Sequence, residues 1–151
     1  MTFFCMNCLA ELPAADERCP RCGVSQSLDS RDYVTKLRLA LSHLLVETRR
    51  RAIFLLGERR IVDAVEELIQ VIDCESDLFL AEEAVVELSK IGQAKALNAL
   101  LRAARHKSFL VRARSIEALV VAGGKWKRTA VDLADHDPSA RVRESARIDR
   151  E

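Results

Sequence analysis

The stretch "AIFLLGERRIVDAVEELI", residues 52–69, decides the fold, because "AVVELSKIGQAKALNALL", residues 84–101, repeats its apolar plan 32 positions later. Ala52 meets Ala84, Ile53 meets Val85, Phe54 meets Val86 and Leu56 meets Leu88. Further along, Ala64 meets Ala96, Val65 meets Leu97, Leu68 meets Leu100 and Ile69 meets Leu101. At an offset of 31, Val85, Leu88 and Gly92 meet Ile116, Leu119 and Gly123, and "VRARS" at 111–115 meets "VRESA" at 142–146. Within each copy the apolar residues recur at spacings of three and four, which places them on one face of a helix.

A period of 31–32 residues holding two amphipathic helices predicts an α-solenoid, since neither helix can bury its apolar stripe until units stack. The expected class is therefore mainly all-α, built of antiparallel helix pairs. Helices are expected near 31–45, 48–59, 61–73, 77–90, 93–105, 109–122, 126–135 and 139–149. Composition agrees: five Gly and three Pro in 151 residues leave few of the turns a β-sandwich needs, and with 5% aromatics the core must be aliphatic. Ser76, Ser108 and Ser139 share one phase and fall where helix N-caps are wanted. At "GGKWKRTA", residues 123–130, the third unit carries an extra residue, so an irregular or shortened helix is expected there.

The pattern V-R-x-x-A … L-x-x-x-G … A-(V/L)-x-x-L-(I/L) resembles HEAT-like repeats of the short kind found in phycobilin lyase subunits, over residues 47–151. The resemblance implies a binding scaffold as the role. A lyase- or chaperone-like accessory role ranks lower.

Ahead of the repeats stands "CMNCLAELPAADERCPRC", residues 5–22, with the spacing Cys5-x2-Cys8-x10-Cys19-x2-Cys22. Two such pairs across a short loop can set four thiolates tetrahedrally around one Zn2+. A segment of about 25 residues buries too little apolar surface to fold alone, and a structural metal makes up the difference. Gly23 permits the backbone angles that such a turn often requires, and Pro20 stiffens it. A redox couple needs only one Cys-x2-Cys in a βαβ setting, which this chain lacks, and disulfides suit an oxidising compartment. The segment 3–23 resembles the short bacterial zinc ribbon, in its "AELP" after the first pair and its "CPRCG" at the end; Met6 and Leu9 stand where that pattern has Pro and Gly. One structural zinc held by Cys5, Cys8, Cys19 and Cys22, with no open position for catalysis, is the expected cofactor. The expected organisation is a ribbon over 1–26, a linker over 27–30 and the solenoid over 31–151.

The net charge of +1 hides a segregation. Residues 61–87 carry nine acids and no base, whereas 88–128 carry ten bases and one acid. In a solenoid, position in the chain maps onto position along the axis, so an acidic repeat precedes a basic one. Mutual neutralisation between neighbouring helices is the simplest use of this order; steering of a partner is the functional one. The inner face is expected on the second helix of each unit, which makes Asp63, Glu66, Glu67, Gln70, Lys95, Asn98, Arg102 and Arg105 the candidate partner-binding residues.

Nucleic acid is the second-choice partner. "KWKR" at 125–128 and "RRR" at 49–51 would serve it, but a pI near 7.7 and the acidic block oppose a continuous basic footprint. Trp126 is expected to cover the end of the core. His43, His106 and His136 are scattered outside any ligand or base motif, His43 being expected as a packed helix residue, and Cys74 is expected to be partly buried. No enzyme is read from these residues. No apolar run approaches the ~18 residues of a membrane span. With no signal pattern read at the N-terminus, the expected compartment is the cytoplasm. The expected role is a non-catalytic scaffold or adaptor for another protein.

Overall fold

Wherever the sequence places an apolar stripe at helical spacing, a helix forms and turns that stripe inward. The computed structural model describes residues 3–5, 7–8, 10–12, 18–25, 31–74 and 76–147. Its helices are α1 (Tyr33–Ala40), α2 (Val46–Glu58), α3 (Val65–Cys74), α4 (Leu78–Ile91), α5 (Ala94–Ala103), α6 (Phe109–Ala122), α7 (Gly124–Asp135) and α8 (Ala140–Ser145). A 3-10 turn, Val62–Ala64, leads into α3. Two short strands, β1 (Phe3–Phe4) and β2 (Glu11–Leu12), pair antiparallel ahead of the helices, Phe3 opposite Leu12.

The helices form two layers. In one, α2 packs on α4, α4 on α6 and α6 on α8; the other holds α3, α5 and α7, with α1 against α2 at the start. Equivalent residues of successive repeats make the seam between layers. Ile53, Val85 and Ile116 are fully buried, and so are Leu56, Leu88 and Leu119. Each such side chain contributes about 1.5–3 kcal/mol on leaving water. In and just before α3, Ala64, Val65 and Leu68 correspond to the buried Ala96, Leu97 and Leu100 of α5. The core is a row of repeated contacts, and it is aliphatic as the composition requires. Trp126 is half-buried and packs against it.

Gly57 sets how closely α2 and α4 approach. A Cβ built on it would stand 2.4 Å from the Cβ of Glu87 and 2.8 Å from its Cα, so only glycine admits the α4 backbone here.

Four expectations are corrected. Helix α1 ends at Ala40 and does not reach 45, because the chain turns over residues 41–45, where Leu41, Ser42 and His43 donate their N–H groups to Arg38, Leu39 and Ala40. Asp32 starts that helix, accepting the Thr35 N–H at 3.0 Å. Helix α7 is neither irregular nor short. It runs for 12 residues from Gly124, two positions ahead of the expected start. The extra residue is absorbed in the turn, where Gly123 and Gly124 take positive φ values of 76° and 55°. Only Ala130 and Ala134 of α7 are fully buried, so its stripe is as thin as the sequence suggests.

The serines do not cap through their side chains. Asp77 caps α4, accepting the Phe79 N–H at 3.0 Å. Ser108 and Ser139 hold the N-cap positions of α6 and α8, yet their hydroxyls accept nothing there. Their own N–H groups instead donate to a side chain two residues back, His106 Nδ1 at 3.0 Å and Asp137 Oδ1 at 2.9 Å. The last helix ends at Ser145, short of the expected 149: Ala146 caps it and Arg147 turns back, its N–H donating to the Glu144 carbonyl at 2.9 Å, while positions 148–149 lie outside the described residues.

Candidate functional site

The cysteine head is assembled from two turns that face one another. After β1, Cys5 donates its N–H to the Ala10 carbonyl at 2.8 Å, closing the first turn. Inside that turn the N–H groups of Asn7 and Cys8 point at Cys5 Sγ, at 3.3 and 3.4 Å. The second turn repeats the arrangement: the Arg21 N–H points at Cys19 Sγ at 3.4 Å, and the Gly23 N–H returns to the Cys19 carbonyl at 2.8 Å. Gly23 closes this turn with a positive φ of 75°, a value that suits a residue lacking Cβ. The position that corresponds to it in the first turn, Leu9, lies outside the described residues.

All four sulfurs of Cys5, Cys8, Cys19 and Cys22 lie within 4.8 Å of one another. Cys5 Sγ stands 3.4 Å from Cys22 Sγ, and Cys8 Sγ 3.6 Å from Cys19 Sγ. A tetrahedron of thiolates about 2.3 Å from a central ion has edges of about 3.8 Å, so these spacings fit one metal ion at the centre. None of the five cysteines is in a disulfide. Burial pushes the Cys8 thiol up to about 12 and also raises Cys5, whereas the Val24 N–H draws Cys22 down to about 6. Crowded thiols resist ionising together, and a cation among them removes that resistance. The donor set can coordinate a metal ion. Cys5 and Cys19 are buried with Ala10 and Leu12 in a small cluster distinct from the helical core.

The candidate docking residues fall on neighbouring elements. Asp63 sits in the 3-10 turn, Glu66, Glu67 and Gln70 on α3, Lys95, Asn98 and Arg102 on α5, and Arg105 just beyond it. All are exposed except Glu67, which is half-buried and bound by Arg38. Glu66 and Lys95 meet across the two helices at 3.0 Å. Arg105 bends back to the Leu101 carbonyl at 3.3 Å. Glu67 and Gln70 line a groove of about 340 Å3 between α1 and α3, with Arg38 and Cys74 beside them. Cys74 is exposed, against the expected partial burial, because it closes α3 at the helix end.

Charge neutralisation between repeats is visible elsewhere too. Arg50 reaches Glu83 at 2.6 Å, Lys90 reaches Glu58 at 2.5 Å, and Arg141 reaches Glu117 at 3.1 Å. Among the described residues no helix is long and apolar enough to cross a membrane.

One recurring arrangement escapes a sequence reading. His43, His106 and Asp137 each accept the N–H two residues on, at the turn before α2, α6 and α8. Six residues after each stands an arginine, Arg49, Arg112 or Arg143, whose guanidinium donates to the carbonyls of that turn. His43 is therefore a turn residue and not the packed helix residue expected of it. The H/D-x5-R spacing is present in the sequence, but only the turn geometry gives it meaning.

The family model described as HEAT repeats matches residues 34–120, more than half of the 151-residue chain. No curated protein matches the chain. The paired helices, the aliphatic seam and this match agree, and the chain belongs to the HEAT-repeat family.

Proposed function

We propose that this chain is a non-catalytic protein-interaction scaffold, with a zinc-ribbon head over residues 1–26, a linker over 27–30 and a HEAT-repeat array over 31–151. HEAT repeats generally mediate protein–protein interaction, which supports this reading at the level of the family. The observation that carries it here is the adjacency of α3 and α5: one exposed acidic face beside one exposed basic face, on the same layer of the array. A partner of mixed charge would meet Asp63, Glu66, Glu67 and Gln70 in and just before α3, and Lys95, Asn98, Arg102 and Arg105 in and just after α5. Four soft thiolates suit zinc, and with all four on one ion no position remains for a substrate, so the metal would be structural. The head then provides a second point of attachment, and two modest contacts joined by a short linker gain through effective concentration.

The test is capture from lysate of the native organism, with and without nuclease, using the wild-type chain and a Lys95→Glu, Arg102→Glu double variant. Protein partners that survive nuclease and fall away with the double variant are the expected outcome. Partners that vanish with nuclease, leaving nucleic acid bound in the untreated sample, would replace the scaffold by a nucleic-acid-binding regulator.

A further inference from the structure

The exposed faces of α3 and α5 correspond residue by residue. Asp63, Gln70 and Asp73 are exposed, and 32 positions on stand the equally exposed Lys95, Arg102 and Arg105. With Glu66 and Asn98 between them, each set recurs at spacings of three and four, so each forms one stripe. The same offset relates the buried Ala64, Val65 and Leu68 to Ala96, Leu97 and Leu100. The two helices are therefore equivalent elements of successive repeats. They lie side by side and run parallel, with corresponding residues at one height.

Bonds within the chain meet part of this charge. Glu67 is taken by Arg38, and Glu66 by Lys95 at 3.0 Å. Asp63 and Arg102 have no ion pair or hydrogen bond among the described residues. Arg105 bonds the neutral Leu101 carbonyl, and Asp73 lies near the His106 ring, whose charged form burial disfavours. Asp63 and Asp73 thus remain on one stripe, and Arg102 and Arg105 on the other, equal in number and opposite in sign. A surface with an acidic stripe beside a basic one is complementary to itself under one symmetry operation. A two-fold axis parallel to the helices, midway between them, lays α3 of each copy on α5 of the other. Asp63 then faces Lys95 of the second copy, Gln70 faces Arg102 and Asp73 faces Arg105, each contact being made twice. An axis across the helices sets acid on acid and base on base, so charge excludes it.

We propose that α3 and α5 form the face of a two-fold dimer, in which the acidic stripe of each copy lies on the basic stripe of the other. The inference rests on the scaffold reading in taking this face for docking, and it names the mixed-charge occupant: a second copy of this chain. The cysteine head shares a groove with Phe54 of α2, in the other layer, through Cys8 and Arg21, and so stays outside this face. Exposed charge pairs are weak one by one and screened by salt, so the dimer is weak and dissociates as salt rises.

The test is sedimentation velocity on the full chain over a rising concentration series, at low and at high salt. A reversible monomer–dimer equilibrium is expected at low salt, weakened about tenfold or more at high salt. Two variants reverse one stripe each. Arg102→Glu with Arg105→Glu makes both stripes acidic, and Asp63→Lys with Asp73→Lys makes both basic. Each variant alone is expected to stay monomeric. Mixed in equal amounts, with one of them fluorescein-labelled, they are expected to regain a dimer, because the acidic copy then faces the basic one at every contact. Recovery on mixing shows that neither variant had merely failed to fold. Arg147→Glu, a charge reversal beyond α8, is expected to dimerise like wild type. A wild-type chain that stays monomeric at low salt, a dimer that both variants retain, or a mixture that stays monomeric would overturn the proposal. So would a dimer that both charge variants keep and Phe79→Ser dissolves, which would place the contact on that exposed apolar residue. If the wild type is monomeric while captured partners still fall away with Lys95→Glu, Arg102→Glu, this inference fails and the scaffold reading stands.

Discussion

Arg112 on α6 binds Asp137, in the turn before α8, through two bonds: Nε to Oδ2 at 2.7 Å and Nη2 to Oδ1 at 3.0 Å. The same guanidinium donates through Nη1 to the carbonyls of His106 and Lys107, at 2.9 and 3.0 Å. One side chain thereby fastens the turn that precedes its own helix to the turn that precedes the next repeat. Arg143 repeats the local half of this pattern on the carbonyls of Asp137 and Pro138.

Replacing Arg112 by Ala removes the bonds at both turns and leaves the largely buried Asp137 carboxylate to the Ser139 N–H. A loss of about 2–3 kcal/mol is expected, from hydrogen bonds to charged groups. For a chain of this size that corresponds to a fall in Tm of about 5–10 °C, to be read by thermal circular dichroism. The pH dependence has a definite sign. The Arg112 guanidinium holds the Asp137 carboxyl below its ordinary value. The stabilisation is therefore present above the unfolded carboxyl range, near 4, and is lost as pH falls through the lower folded value. The Tm gap between wild type and Asp137→Asn should be full at neutral pH and close below about pH 4. A gap that does not change with pH would mean the pair adds nothing through charge.

Gly57→Ala is expected to destabilise the array by about 1–3 kcal/mol, although alanine is the better helix former by about 1 kcal/mol. The new Cβ meets the backbone of Glu87 and not merely the end of its side chain, so α2 and α4 must move apart. The midpoint of urea unfolding reads the effect. A raised midpoint would mean that the two helices do not approach so closely.

Glu87 lies buried under that contact, with Oε1 bonded to Lys90 at 2.9 Å and Oε2 without a hydrogen-bond partner among the described residues. Burial raises its carboxyl above the ordinary range, the Lys90 ammonium pulling it back only in part. A raised folded value means that stability is highest when the group is protonated and falls as pH rises through that value. Glu87→Gln is expected to be at least as stable as wild type at pH 7, with the difference vanishing by about pH 4. Unfolding midpoints across that range decide it; a Gln variant clearly weaker at neutral pH would mean the Lys90 bond outweighs the burial of charge.

Mass-spectrometric metal analysis is expected to find one zinc per chain, lost on replacing Cys19 by Ser. Far-ultraviolet circular dichroism of that variant should keep its helical signal, because the sulfur cluster and the helical core share no buried residue. Joint loss of metal and helix would make the head and the array one cooperative unit.

The amino-acid sequence by itself determined the repeat, the helix pairs and the cysteine cluster, because each rests on short-range spacing. Ile53, Val85 and Ile116 share a phase and are buried together; two Cys-x2-Cys turns need only face one another to gather four sulfurs. What only the tertiary structure decided involves groups far apart in the chain. Phe54 holds the same phase as the half-buried Val86 yet points outward into a groove completed by the head, a contact no periodicity encodes. Arg112 and Asp137 lie 25 residues apart, and His43 and His106 act through a ring nitrogen on a turn whose shape is set by the helices it joins. The separation of charge into blocks was legible, but which acid meets which base was not. A helix face is fixed by its local period, whereas a partner on the next repeat is fixed by how closely the two helices approach, and Gly57 against Glu87 sets that distance.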